Sequence, residues 1–171
     1  MQEFLIVVDM QNDFVSGVLG TKEATEILPR VEKIVREFKG KVVFTKDTHQ
    51  NDYLSTQEGK KLPVEHCING TQGWEIVDSL LPYATKVIEK PTFGSLDLLE
   101  YLKEENAKNK IGKITLVGVC TDICVISNAM IIKSAFLDAE IEVISSACAG
   151  VTPQSHMNAL GAMQMCQITI K

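Results

Sequence analysis

Residues 113–119 read Lys113-Ile114-Thr115-Leu116-Val117-Gly118-Val119, and Cys120-Thr121-Asp122-Ile123-Cys124-Val125 follows at once. The chain then continues as an apolar stretch to Asp138 before Glu140-Ile141-Glu142-Val143-Ile144-Ser145-Ser146-Ala147. The outer pieces have strand length and are rich in Val and Ile, whereas residues 122–138 are long enough only for a helix. Strand, helix and strand in succession are the signature of a parallel crossover unit.

The same rhythm extends in both directions. Apolar runs at 4–9, 41–47, 86–90 and 167–170 add four strands to those at 113–119 and 140–147. Such runs suit a sheet covered on both faces. Between them, Ile27, Val31, Ile34, Val35 and Phe38 form one helical stripe. Leu98, Leu99 and Leu102 form another, with Ser95 placed to cap it, and residues 153–165 give a further helix. The pattern predicts an α/β fold, a three-layer αβα sandwich around a mainly parallel six-stranded sheet. At 171 residues, with no linker or repeat, the chain suits a single domain over 1–171.

Residues 49–73 break the rhythm, with Gly59, Gly70 and Gly73 as punctuation. A structureless segment of that length in a compact domain is expected to be either functional or disordered. It holds two of the three histidines, which favours a lid or a metal-binding loop.

Composition excludes several function classes. Hydrophobic residues make up 45% and charged residues 23%, with a formal charge of −5 and no basic run to dock nucleic acid or anionic lipid. The five apolar residues 4–8 are too few for a signal peptide or a membrane span. Cysteines at 67, 120, 124, 148 and 166 are odd in number and irregularly spaced, which argues for free thiols in a reducing, cytoplasmic setting.

In an open α/β sheet, ligands bind beyond the carboxyl ends of the strands. Those ends carry Asp9, then Asp47 and His49, then Lys90, then Cys120 and Cys124. Cys124 falls in the first turn of a helix, where free N–H groups favour negative charge. A carboxylate alone beside it would oppose a thiolate, so Asp9 as proton acceptor needs the Lys90 cation nearby. Cys120 is the rival thiol, expected to pack at the strand end. Asp47, His49 and the distant His66 form a second cluster suited to a divalent cation, zinc before iron or manganese. Cys67 is a further possible ligand. The near-wholly apolar helix over 122–138 is expected to be covered on every side, which predicts a homo-oligomer.

Four segments in order give a resemblance over the whole chain. They are Asp9-Met10-Gln11-Asn12-Asp13-Phe14, then Asp47-Thr48-His49 with residues 63–73, then Lys90-Pro91-Thr92-Phe93-Gly94-Ser95, then Gly118-Val119-Cys120-Thr121-Asp122-Ile123-Cys124. Together they resemble the isochorismatase-like cysteine hydrolases, whose fold is Rossmann-like, and within them the nicotinamidase branch. The resemblance implies a catalytic triad of Asp9, Lys90 and Cys124. It implies a cis peptide between Val119 and Cys120, with the backbone N–H groups of Cys120 and Cys124 turned toward an oxyanion. It also implies metal ligation by Asp47, His49 and His66, and a ring pocket lined by Phe14. The expected activity is cleavage of a small carboxamide, nicotinamide foremost, to acid and ammonia.

Three positions depart from the pattern. Thr48 stands where tryptophan is frequent, Pro63 where an aromatic residue is expected, and Cys120 where alanine is usual. The first two remove aromatic contacts from the ring pocket and so bear on the substrate. A carbamoyl or ureido substrate is the alternative within the family. A non-catalytic redox-thiol protein is the alternative outside it, but it leaves Asp9, Lys90 and the metal cluster unexplained.

Overall fold

The computed structural model describes residues 1–171. Strands β1 (Gln2–Val8), β2 (Lys41–Asp47), β3 (Val87–Lys90), β4 (Ile111–Val119), β5 (Glu140–Ala149) and β6 (Thr169–Ile170) form one sheet in the order β3-β2-β1-β4-β5-β6. Every pairing is parallel. Helices α1 (Asn12–Val15), α2 (Lys22–Glu37), α3 (Gln57–Lys61), α4 (Leu96–Lys108), α5 (Ile126–Ala135) and α6 (Pro153–Met165) complete the chain.

The alternation of β1 explains the layers. Phe4, Ile6 and Val8 point into one core with Leu98 and Leu102 of α4, Ala129 and Ile132 of α5, and Leu160 and Met163 of α6. Leu5 and Val7 point into the other with Val15 of α1 and Ala24, Val31 and Val35 of α2. A strand apolar on both faces is stable only between two layers of helix, as here. Caps set the helix starts: Thr21 accepts from the N–H of Ala24, Ser95 from that of Leu98, and Thr152 from that of Ser155.

The order of strands reverses between β1 and β4, because β2 and β3 run out to one side and β5 and β6 to the other. A crevice opens at such a switch point, at the carboxyl ends of the strands. Asp9 and Cys120 border it directly, and Asp47 pairs in register with Lys90 one and two strands away.

Several boundaries differ from the sequence expectation. The expected helix over 122–138 is two pieces, a wide π turn at Thr121–Val125 followed by α5, which stops at Ala135. Within a single chain it is covered on part of its circumference. Ala129 and Ile132 are buried, but Ile126, Met130 and Ile131 are half-buried and Leu137 is 81% exposed. The last strand begins at Thr169 because Gln167 sits at φ +64, in the left-handed region, where the chain reverses after α6. Residues 49–73 are not structureless. They hold a 3-10 turn at Tyr53–Ser55 and α3, whose five residues are too few to display a helical period.

Gly118 lies at φ +113 beside β1, and a Cβ there would collide with the carbonyl oxygen of Val8. The clash is with backbone, so it cannot be relieved by a side-chain rotation. Gly118→Ala is expected to cost roughly 2–4 kcal/mol, seen as a lower urea midpoint at unchanged slope.

Candidate active site

The carboxyl ends of β1, β2 and β3 deliver three charges to one place. Lys90 Nζ lies 2.7 Å from Asp9 Oδ2 and 3.3 Å from Asp47 Oδ1. It also donates to the Thr92 carbonyl at 3.0 Å and to Cys124 Sγ at 3.4 Å. Asp9 is held from its other side, where the Thr45 hydroxyl donates to Oδ1 at 2.6 Å and accepts from the Asp9 N–H at 3.2 Å. Asp9 adopts φ +47, an unusual conformation for an acid at a strand end, which aims its carboxylate across the switch point. Asp9, Asp47, Lys90 and Cys124 are all at least 95% buried.

Burial dictates the electrostatics. Desolvating a lone ammonium costs several kcal/mol. Each carboxylate near 3 Å returns on the order of 5 kcal/mol at an effective dielectric of about 20. Burial pulls Lys90 toward the neutral amine, but Asp9, the sulfur and Asp47 outweigh it and hold the group charged, with its pKa above the ordinary value. Asp9 moves up, because desolvation exceeds the pull of Lys90. The Cys124 thiol is raised well above its usual value by burial and then by the negative Asp9, with Lys90 opposing. The start of the helix and Lys90 therefore do not produce a standing thiolate. Burial and the negative Asp9 beside it favour the protonated thiol at rest.

The peptide between Val119 and Cys120 is cis. Cys120 is half-buried and faces the same cavity as Cys124, but lies outside the Lys90 contacts. Burial, with Asp122 adding to it, pushes its thiol up to about 12. Cys67 and Cys148 are buried and Cys166 is exposed, and all five thiols are free.

Next to the triad, Asp47, His49, Glu58 and His66 bring one ligand atom each within 4.8 Å of the others. Asp47 Oδ2 lies 3.0 Å from His49 Nε2 and 3.6 Å from His66 Nε2. Glu58 Oε1 lies 3.6 Å and 3.9 Å from the same two nitrogens. Donors around a tetrahedral zinc at about 2.0–2.1 Å stand roughly 3.3 Å apart, so the set fits a small divalent cation. His66 Nδ1 donates to the Val64 carbonyl at 2.8 Å, which turns Nε2 toward the cluster. The Tyr53 ring packs against both imidazoles, with centroids 4.7 Å and 5.0 Å away. Cys67 is not part of the group. Burial raises its thiol, and it serves through its backbone, donating its N–H to Asp13 Oδ2 at 2.8 Å.

Gln11 and Asp13 tie the cluster to the sheet. Gln11 Oε1 accepts from the Asp47 N–H at 2.7 Å, while its Nε2 donates to the carbonyls of Asp47 and Trp74 at 2.9 Å and 2.8 Å. A side chain at Gly73 would run into the Asp13 carboxylate, which explains that glycine.

A cavity of about 260 Å³ opens onto both clusters. Phe14, Leu19, Leu62, Phe93, Ile123 and Val151 supply its apolar wall, and Asp47, Glu58, His66 and Cys124 its polar floor. The volume suits a small molecule. The structure thus gathers Asp9, Lys90 and Cys124 at one point, Asp47, His49 and His66 at a second, and Phe14 on the wall between. The sequence reading lacked Glu58, Thr45, Tyr53 and Phe93. Of these, Thr45 carried a signal, two residues before Asp47 on the same strand face, and Phe93 lies in the quoted segment that follows Lys90.

Replacing Asp9 removes the negative charge that raises the Cys124 thiol. Asp9→Asn is expected to shift the pH profile of Cys124 alkylation downward, and Lys90→Met to shift it upward, as read by iodoacetamide labelling.

Residues 3–171 match the isochorismatase domain family. The nicotinamidase of Acinetobacter baylyi is 31% identical, over 86% of this chain and 81% of its own. That of Schizosaccharomyces pombe is 28% identical, over 91% and 86%. The crystal structure of Pyrococcus horikoshii pyrazinamidase in complex with zinc superimposes with a TM-score of 0.83 at 28% identity, over 100% of this chain and 99% of that one. The match in sequence and fold is end to end, and this chain belongs to the isochorismatase family.

Proposed function

We propose that this protein is a metal-assisted cysteine amidohydrolase that converts nicotinamide to nicotinate and ammonia. The observation that carries the reading is a single sulfur, Cys124 Sγ, 3.4 Å from a lysine ammonium that is itself 2.7 Å from a buried carboxylate. Relatives named nicotinamidase and pyrazinamidase support the carboxamide class.

In the proposed reaction, the Cys124 sulfur attacks the carboxamide carbon as its proton passes to Asp9. Lys90 offsets the negative charge that moves between sulfur and carboxylate. The carbonyl oxygen takes up the electron pair and is met by the backbone N–H groups of Cys120 and Cys124. Loss of one such donor typically costs roughly 10²–10³ in rate. Asp9 returns the proton to the nitrogen, the C–N bond breaks, and ammonia leaves a thioester on Cys124. A water molecule then loses a proton to Asp9 and attacks the acyl carbon, releasing the acid and restoring the thiol. The raised pKa of Asp9 suits a group that must both accept and donate a proton. Asp47, His49 and His66, with Glu58 beside them, would hold the cation and leave a coordination position for the substrate, with zinc favoured over iron or manganese by its higher affinity for a given set of donors. When bound, the cation supplies a Lewis-acid contact for the pyridine nitrogen and so orients the ring.

The cavity favours this substrate over carbamoyl or ureido compounds that bear a carboxylate. No lysine or arginine lines it, while Asp47 and Glu58 do. A substrate carboxylate would find no basic side chain on the lining, whereas a neutral aromatic amide finds Phe14 and Phe93. These two supply the aromatic surface that Thr48 and Pro63 do not. Thr48 instead accepts from the Trp74 indole N–H at 2.8 Å. The five free thiols support a reducing, cytoplasmic location. The partly open apolar side of α5, with Leu137, supports self-association, which light scattering would test.

Purified protein is expected to release ammonia from nicotinamide, and Cys124→Ala to release none while keeping its circular dichroism spectrum. Ammonia from carbamoyl acids but not from nicotinamide would reverse the choice of substrate. Chelation is expected to cut the rate at least about tenfold, with zinc restoring it, and His66→Ala to copurify with less metal by elemental analysis.

A further inference from the structure

Asn128 is 1% exposed and lies one turn beyond Cys124, among the core residues Val125, Ala129 and Ile132. Asparagine is a poor helix former, and a buried amide is costly unless its hydrogen bonds are made. An apolar side chain of similar size would serve the core at least as well. Yet three of the four hydrogen bonds available to this amide are formed. Nδ2 donates to the Cys124 carbonyl at 2.8 Å and to the Phe93 carbonyl at 3.1 Å, and Oδ1 accepts from the Ser95 N–H at 2.9 Å.

The partners matter more than the count. Phe93 and Ser95 belong to the segment that leaves β3, and its Thr92 carbonyl accepts from Lys90 Nζ at 3.0 Å. That segment is therefore fixed to the Lys90 ammonium at one end and to Asn128 at the other. We propose that Asn128 is a positioning residue that sets the Lys90–Cys124 separation, by clamping the turn that carries Cys124 to the segment that follows Lys90. Through the Phe93 carbonyl the same clamp steadies an aromatic wall of the cavity. A misplacement of reacting groups by about 1 Å can cost on the order of 10² in rate.

The inference rests on the proposed reaction, and two variants with two readouts keep them separate. Asn128→Asp keeps the shape and the acceptor for Ser95, but replaces Nδ2 and its two N–H donors with one oxygen facing both carbonyls. Asn128→Ala removes all three bonds. In the folded variants, kcat for ammonia release from nicotinamide is expected to fall roughly 10- to 100-fold, with KM within about threefold. Alkylation of Cys124 by iodoacetamide at fixed pH, followed by mass spectrometry, is expected to slow about tenfold because the ammonium is less well placed. If both variants lose thermal stability but keep the wild-type kcat and alkylation rate, the amide is only structural and the proposal is overturned. If the wild-type protein releases no ammonia from nicotinamide, the substrate reading fails alone. The alkylation rates then decide the clamp.

Discussion

A lysine ammonium sealed from water between two carboxylates is the constraint on which this site depends. Lys90 is 1% exposed, and no solvent compensates its charge. It stays charged because Asp9 and Asp47 lie beside it, and its charge in turn favours their ionised forms. The parallel sheet makes this geometry possible, because three adjacent strands end at one level with side chains directed into one crevice. Under the proposed reaction the ammonium is a fixed positive charge against which a proton moves from sulfur to carboxylate without leaving an unpaired buried ion.

Asp47 gives this arrangement its reach. One of its oxygens faces Lys90 and the other faces His49 and His66, so the triad and the metal cluster share a residue. Hydrogen bonds from both histidines and the charge of Lys90 overcome burial and keep it well below the usual carboxylate range. A change of charge in one cluster is therefore felt in the other. Gln11 locks the Asp47 backbone from both sides, and the segment bearing the metal ligands is drawn in through Trp74 and Cys67. The motif around Asp9 thus supplies a reacting group and also the struts that set the distance to the neighbouring cluster.

Much of this was legible in the sequence, for a physical reason. Asp9, Asp47 and Lys90 each end a short apolar run, and a polar residue in that position must face the crevice or be buried at cost. The layers followed from runs such as Phe4–Val8, too apolar for a one-sided sheet. What stayed hidden depends on tertiary contact. Glu58 reaches the cluster from a five-residue helix with no readable period, and Tyr53 packs there from a single 3-10 turn. Asn128 reads in sequence as a polar interruption in an apolar helix, and two of its three partners lie more than thirty residues away. The π turn at Thr121–Val125 has no compositional mark, and the charge state of Cys124 depends on burial that only packing defines.

The central claim is that one sulfur carries the acyl group through the reaction. Quenching the protein in acid during turnover of nicotinamide, then locating the adduct by peptide mass spectrometry, tests it most directly. The account predicts a nicotinoyl thioester on the peptide containing Cys124. Steady turnover with no acylated peptide, or with acyl on Cys120 instead, would contradict it.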